Sequence, residues 1–527
     1  MPGQDPRSTS LRPAATPARR LGDLADRLGT ALVAGVGPLD AATTGVTHDS
    51  AAVLPGDLYA ALPGTHTHGA RFADRAVAAG AVGVLTDQAG RSIVDAGSLG
   101  APVIVVSDPR AELGDVASWI YGEPSKRLRV LGVTGTNGKT TTSYLLDAGL
   151  RAAGEKTGLV GTIETRIGEW VAPSARTTPE APDLQALLAV MAERGVGSVS
   201  MEVSSHALAL HRVDGTAFEV VAFSNLSQDH LDFHADLDDY FNAKARLFTP
   251  RFARAGVVNV DDDHGRRLLG VADIPLTTVS ATTRDAQWWV SDRSYRSDNG
   301  TAGERRTDFV VHGPEVVAAV SIQLPGSFNV ANALLAFVTL VVAGVDPQAA
   351  AHGIAGVFVV PGRMEAVSVS QPFTALVDYA HTPDAVVTLL TALRPTTAGR
   401  LIVVLGCGGD RDRTKRPLMG AAAARLADVA VLTSDNPRSE APDQILAAML
   451  EGAMGVAPEQ RAEVIVELDR KTAIQIAVSR ARAGDVVVVA GKGHEQGQEV
   501  GGVVHQFDDR TVLRAELAAL TNGAGAS

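Results

Sequence analysis

Short apolar runs alternate with longer Ala- and Leu-rich stretches along most of this chain. Val82-Gly83-Val84-Leu85 and Val103-Ile104-Val105-Val106 are early examples, and Arg129-Val130-Leu131-Gly132-Val133 is a central one. Leu401-Ile402-Val403-Val404-Leu405, Val429-Ala430-Val431-Leu432 and Val486-Val487-Val488-Val489 follow later, most of these runs leading into polar residues. Such alternation predicts an α/β chain of parallel sheets with helices on both faces. The pattern divides into three blocks, 21–126, 127–360 and 361–527, with Glu123-Pro124-Ser125-Lys126 as a linker. The polar stretch 284–306, with two Trp, Ser-Asp-Asn-Gly and Arg-Arg, reads as a hairpin region with exposed turns. Residues 1–20, rich in Pro, Ser, Ala and Arg, read as a disordered tail, and 523–527 as a frayed end. No internal repeat at a solenoid period is present.

Length supports several domains: 527 residues at roughly 150 each predict about three or four. Lys and Arg number 47 against 59 Asp and Glu, a net charge of −12, so the chain lacks the global basic footprint of a nucleic-acid binder. Cys407 is the single cysteine, which excludes an intrachain disulfide. No apolar run approaches the ~20 residues that span a bilayer, and the N-terminus lacks a secretory h-region. The expectation is a soluble, cytoplasmic protein without membrane insertion.

The strongest chemical signal is Gly135-Thr136-Asn137-Gly138-Lys139-Thr140, between an apolar strand and the helical pattern 141–150. The strict P-loop spacing G-x-x-x-x-G-K-[ST] fails at one position, because Val133 stands where the first Gly belongs. The chemistry survives that change. Backbone N–H groups of the turn and the helix N-terminus would cradle phosphates, Lys139 would neutralise them, and the Thr140 hydroxyl would ligate Mg²⁺. The plain structural alternative is a strand-to-helix turn that needs positive φ.

Other candidates are weaker one by one. Glu202, at the end of Ser198-Val199-Ser200-Met201-Glu202, could reach a metal held by the phosphate loop, or lie in a surface turn. His230 and His234 have the i, i+4 spacing of a zinc helix, but Leu231 occupies the place of the required Glu. Lys244, taken by itself, is a solvated helix residue. Gly406-Cys407-Gly408-Gly409-Asp410-Arg411 imitates a dinucleotide fingerprint but ends in Arg, which argues against a nicotinamide site. Arg411, Asp435-Asn436-Pro437-Arg438 and Gly491-Lys492-Gly493-His494-Glu495 each follow a strand of the third block. Their mixed charges suit an amino-acid ligand, with ordinary polar loops as the alternative.

Together and in this order, these motifs resemble the Mur ligase family, over nearly the whole chain after the N-terminal tail. Glu202-Val203-Ser204-Ser205-His206, the stretch 225–232 and Tyr240-Phe241-Asn242-Ala243-Lys244 are similar to its central motifs. Leu324-Pro325-Gly326, Phe328-Asn329, Asn332, Gly362-Arg363, Glu365 and Asp378-Tyr379-Ala380-His381 resemble later ones. The resemblance implies three domains: one that binds UDP, a central P-loop ATPase-like one and a C-terminal Rossmann-like one. It implies that Gly135, Thr136, Asn137, Gly138, Lys139, Thr140, Thr141, Asn332, Arg363 and Asp378 serve ATP. Mg²⁺ ligands would be Thr140, Glu202, His230 and Lys244, the last as a carbamate formed with CO₂; Lys139, Lys244, Glu202 and His230 form the catalytic set.

Ser50 and His66-Thr67-His68-Gly69 would stand near the uridine, although Ala51 replaces an Arg of many members. Thr177, Thr178, Ser204 and Arg212 would bind the UDP-muramyl dipeptide, with Leu210 at a position that can be Gln. Arg411, Asp435, Asn436, Arg438, Gly491 and Glu495 resemble the loops of members that add meso-diaminopimelate, and a buried Arg438 would reject lysine. The implied reaction is ATP-dependent amide formation on UDP-MurNAc-L-Ala-D-Glu in peptidoglycan assembly. Rivals that the residues leave open are a lysine-adding homologue, a folylpolyglutamate-type synthetase and a P-loop nucleotide switch that forms no bond.

Overall fold

Three sheets organise the chain in the computed structural model, which describes residues 11–33, 40–94, 99–296 and 306–524. The first has five strands in the order Leu32–Val33, Val103–Val105, Gly83–Thr86, Asp57–Ala60 and Gly45–Thr47, parallel except for the first. The third has six, in the order Glu365–Ala366, Thr374–Asp378, Val486–Ala490, Leu401–Cys407, Val429–Ser434 and Glu463–Val466, again parallel except for the first.

The central sheet has eleven strands and is mixed rather than purely parallel. Its parallel body runs Thr157–Val160, Ser198–Glu202, Arg129–Thr134, Phe218–Phe223, Ala253–Asn259, Leu276–Ser280 and Trp288–Arg296. Antiparallel additions close both edges: Glu164–Ile167 with Trp170–Pro173 on one side, and Arg306–His312 with Val317–Ile322 on the other. The expected hairpin at 284–306 therefore forms between Trp288–Arg296 and Arg306–His312, while 297–305 lie outside the described residues.

Strand alternation sorts the apolar residues onto two cores. Leu131 and Val133 pack with Leu145 and Leu146 of helix Lys139–Ala152 and with Leu335 and Phe337 of helix Phe328–Val342. Val130, Val199 and Met201 pack on the opposite face with Leu184, Leu188 and Met191 of helix Ala181–Glu193. Strands covered on both faces explain the uninterrupted apolar runs of the sequence. Among the described residues no helix is long and apolar enough to cross a membrane.

The expected tail needs correction. Residues 1–10 lie outside the described residues, but from residue 11 onward the chain is held. Arg12 forms a bidentate pair with Asp57, both contacts at 3.0 Å, and also donates to the Tyr121 hydroxyl. The Ala14 and Ala15 amides donate to the Glu193 carboxylate, and Arg19–Arg20 pairs with Ala42–Thr43. The physical cause is the buried Asp57 carboxylate, which is costly without a counter-charge. At the other end, helix Asp509–Ala524 continues through two of the five residues expected to fray, and 525–527 lie outside the described residues.

Candidate active site

The phosphate-loop sequence forms the turn from strand Arg129–Thr134 into helix Lys139–Ala152. Two of its glycines are sterically required. Gly135 has φ +145° and a Cβ there would lie 2.0 Å from Ser224 Oγ; Gly138 has φ +88° and a Cβ would lie 2.4 Å from Asn332 Oδ1. The Thr136 and Asn137 amides donate to the backbone oxygen and side-chain oxygen of Asn225. The Lys139 ammonium donates to the carbonyls of Gly135 (2.9 Å) and Thr136 (2.8 Å). Burial pushes its pKa down, opposed by the charges of Glu202 and Asp229.

A cavity of ≈ 370 Å³ opens over this loop, and it draws on distant parts of the chain. Thr136, Asn137, Gly138, Lys139, Thr140, Thr141, Glu202, His230, Lys244, Asn332, Arg363 and Asp378 all line it. Glu202 ends strand Ser198–Glu202 and is fully buried, not in a surface turn. Its carboxylate accepts from the Thr140 hydroxyl (3.0 Å), the Thr162 amide (2.7 Å) and the Thr162 hydroxyl (3.0 Å). Arg363 donates to the same Thr140 hydroxyl at 3.0 Å, and its guanidinium lies over the Tyr379 ring, 4.4 Å from the centroid. Asn332 donates to Asn329 Oδ1 at 2.9 Å. Asp378 ends strand Thr374–Asp378 and accepts from the Met364 and Ala380 amides, so it also holds the turn that carries Arg363.

Lys244 overturns the expectation drawn from its local pattern. It is 1 % exposed, because the helix Leu237–Ala245 turns it inward onto the phosphate loop. Its amine donates to Gly135 O at 2.9 Å, the carbonyl that Lys139 also uses, and sits over the Tyr240 ring. Burial, then the nearby Lys139 charge, pushes its pKa well below the usual lysine range. That shift favours the neutral, nucleophilic amine over the cation. His230 is likewise neutral, pushed down to about 3 chiefly by burial against the opposing pull of Asp229. His230 has φ +56° and lies with His234 in a turn, so no zinc helix forms. Among the described residues no three His, Cys, Asp or Glu side chains converge as a metal site. The donor set here is different: a hydroxyl, a carboxylate, an imidazole and a buried amine around one cavity.

The residues expected at the UDP substrate are only partly gathered. Thr177 and Ser204 line the cavity; Thr177 Oγ1 is 3.0 Å from Thr162 Oγ1, and Ser204 caps helix Ser205–Ala209. Thr178 donates to the Glu202 carbonyl at 2.9 Å, and Arg212 pairs with Glu180 at 2.8 Å. Ser50 lies just beyond strand Gly45–Thr47 and lines neither this cavity nor the next.

A second cavity, ≈ 620 Å³, lies between the Glu164–Ile167 and Trp170–Pro173 hairpin and the C-terminal sheet. Asn436, Arg438 and Glu495 line it. Arg411, Asp435 and Gly491 do not. Arg411 is half exposed and lies 4.0 Å from Asp232, Asp435 turns inward toward Lys492, and the Gly491 amide donates to Asp378 O. Arg438 is also less buried than expected, at 24 % side-chain exposure, and it donates to Gly409 O with Glu499 nearby. Water can therefore reach the guanidinium, and the burial on which the expected rejection of lysine rests is only partial. Cys407 is the last residue of strand Leu401–Cys407.

Sequence reasoning missed Thr162, and it quoted Asp229, Tyr379, His381 and Lys492 only within motifs, with no role of their own. Thr162 lines both cavities. Asp229 is held down at about 2: burial pushes it up, but His230, His381 and Lys415 outweigh that. Lys492 is fully buried between two glycines after an apolar strand, and that flanking was the only available signal.

Comparison with known proteins agrees with this geometry. The chain matches the Mur ligase family catalytic domain over residues 42–121, the Mur ligase middle domain over 133–340 and the Mur ligase glutamate ligase domain over 362–493. It is 56% identical to a UDP-N-acetylmuramoyl-L-alanyl-D-glutamate–2,6-diaminopimelate ligase of Streptomyces avermitilis, covering 96% of this chain and 98% of that one. A Corynebacterium glutamicum protein of the same name is 50% identical over 90% and 92%. A UDP-N-acetylmuramyl-tripeptide synthetase of Leifsonia xyli is 45% identical over 97% and 98%. Among solved structures, a diaminopimelate ligase of that same type superimposes with TM-score 0.62 at 34% identity, covering 91% of this chain and 96% of the other. A Mycobacterium tuberculosis folylpolyglutamate synthase reaches 0.57 at 18% identity, covering 79% of this chain and 96% of its own; it shares the fold. With full-length relatives at this identity and all three domains matched in order, the chain belongs to the Mur ligase family of ATP-dependent, amide-forming enzymes.

Proposed function

We propose that this chain joins meso-2,6-diaminopimelate to the D-Glu γ-carboxylate of UDP-MurNAc-L-Ala-D-Glu at the expense of ATP, in cytoplasmic peptidoglycan precursor synthesis. One observation carries the reading: the cavity over the phosphate loop and the cavity bearing Asn436, Arg438 and Glu495 meet at Thr162. A phosphorylated acceptor made in the first can therefore be met by an amine held in the second. The names of relatives 50–56% identical supply the substrates, and the match over 42–121 favours a UDP-sugar enzyme over a folylpolyglutamate one.

The γ-carboxylate oxygen attacks the ATP γ-phosphorus, and the bond to the β-phosphate oxygen breaks to release ADP. The diaminopimelate nitrogen then attacks the acyl carbon. Phosphate leaves with the C–O electron pair, and the amine loses a proton. Lys139 exchanges its two carbonyl acceptors for phosphate oxygens, a stronger charge-assisted bond. The loop amides and the N-terminus of helix Lys139–Ala152 add fixed positive potential where charge develops. Arg363, braced on Tyr379, reaches the same place.

Hydroxyl and carboxylate oxygens suit Mg²⁺, which Thr140 and Glu202 would hold with His230 as a neutral nitrogen donor beside them, and which would neutralise phosphate charge. The unprotonated form of Lys244, which its lowered pKa favours, can form an N–C bond with CO₂ and lose a proton, becoming an anionic carbamate in the same cavity. Asn436 and Glu495 would receive an ammonium of the incoming amino acid and Arg438 its far carboxylate; all three line the second cavity.

The test is phosphate release from ATP with UDP-MurNAc-L-Ala-D-Glu and, in turn, meso-diaminopimelate, L-lysine or glutamate. Release that requires the UDP-dipeptide together with diaminopimelate is the expected result. Turnover indifferent to both acceptors would sink the ligase reading, and a preference for lysine would overturn the assigned amino acid.

A further inference from the structure

Lys492 lies one residue past the glycine that follows strand Val486–Ala490, and its side chain is fully buried. It lines neither cavity. Its ammonium donates to Asn436 Oδ1 at 2.9 Å and to Glu495 Oε2 at 3.1 Å, and stands 3.9 Å from Asp435 Oδ1. Asn436 Oδ1 also accepts from the Glu499 amide at 3.0 Å, while Asn436 Nδ2 donates to Glu495 Oε2 at 2.8 Å. Two donors on Oδ1 dictate which way the amide faces, so its NH₂ group is directed at Glu495. The flanking glycines make this insertion possible: Gly491 has φ +114°, and a Cβ there would lie 2.5 Å from Asp435 Oδ2.

We propose that Lys492 is a positioning residue for the incoming amino acid: from behind the site it orients Asn436 and keeps Glu495 anionic, ready to receive an ammonium. This rests on the acceptor reading above. The electrostatic need is visible in the neighbours. Glu495 is pushed up by burial and by Asp435, with Lys492 opposing. Tyr379 also faces it, and the Arg470 guanidinium that comes near is matched by Asp509. Without Lys492, two carboxyls would share one buried space, and the first to respond would take up a proton.

Lys492→Met is therefore expected to raise KM for diaminopimelate roughly tenfold or more, with KM for ATP and for the UDP-dipeptide within about twofold of wild type. The sign of the pH effect follows: loss of Lys492 raises the Glu495 pKa, and protonated Glu495 does not accept an ammonium. KM for diaminopimelate should thus rise more steeply with falling pH in the variant than in the wild type. Lys492→Gln, which keeps a donor but not the charge, should show the same pH slope with a smaller rise, and serves if the Met variant does not fold. In a variant that keeps its far-UV circular dichroism, an unchanged KM for diaminopimelate, or a parallel rise of all three KM values, would overturn the proposal. Wild-type protein without diaminopimelate-dependent phosphate release would remove the acceptor reading and this proposal with it.

Discussion

Replacing Arg470 by Met tests how far one buried ion pair holds the amino-acid end of the C-terminal sheet. Arg470 opens helix Arg470–Arg480, and neither its side chain nor that of Asp509 is exposed. The pair is bidentate, Nε to Oδ1 at 2.8 Å and Nη2 to Oδ2 at 2.7 Å. The same guanidinium donates to Ser434 O and Ala490 O, the final carbonyls of strands Val429–Ser434 and Val486–Ala490. Asp435 and Gly491 follow directly. Met fills most of the volume but strands the Asp509 carboxylate in a dry site, an expected loss of about 3–5 kcal/mol. At about 2–4 °C per kcal/mol for a domain of 150–250 residues, the melting temperature should fall by roughly 6–20 °C. Arg470→Met/Asp509→Leu removes the stranded charge and should recover most of this, short of about 1–3 kcal/mol for the two carbonyls left without their donor. Far-UV circular dichroism is the proper probe, because all four Trp residues, 119, 170, 288 and 289, lie outside this sheet. A single-variant loss below about 1 kcal/mol, or a double variant no more stable than the single, would refute the reasoning.

The remaining predictions concern chemistry. Lys244→Ala should lower kcat by about 10²–10³, the scale of losing a positioned charge in a water-poor site, with partial recovery when a short carboxylic acid is supplied. Full activity in that variant would remove the carbamate. Arg438→Ala should raise KM for diaminopimelate roughly tenfold, a charge-assisted hydrogen bond at a site that water reaches, and leave KM for the UDP-dipeptide nearly unchanged. Comparable losses for both substrates would mean that the Arg438 loop does not receive the amino acid.

The candidate site was legible wherever its chemistry is local. Strand, glycine turn, lysine and helix start lie within one short stretch, so the phosphate loop is written continuously, and both required glycines follow from its backbone. Glu202 and Asp378 were also accessible, since each closes an apolar strand run. Residues whose role depends on a distant partner were not. Nothing around Lys244 says that Gly135, 109 positions away, will accept from its amine. Arg12 read as part of a disordered tail because its reason for order, Asp57, lies 45 residues on. Asp435 read as a site residue, and only the fold shows that a buried lysine stands beside it.

By itself the sequence determined the α/β class, the phosphate loop and, through the order of its motifs, the family resemblance. These rest on periodicity, turn chemistry and spacing, which are properties of neighbours along the chain. The tertiary structure alone decided which charges are buried and what faces them: Lys244 buried beside Lys139, Lys492 between Asp435 and Glu495, Thr162 at the meeting of two cavities. A side chain's charge state and reach depend on desolvation and on partners brought together across sheets, and the protein acquires those only when it folds.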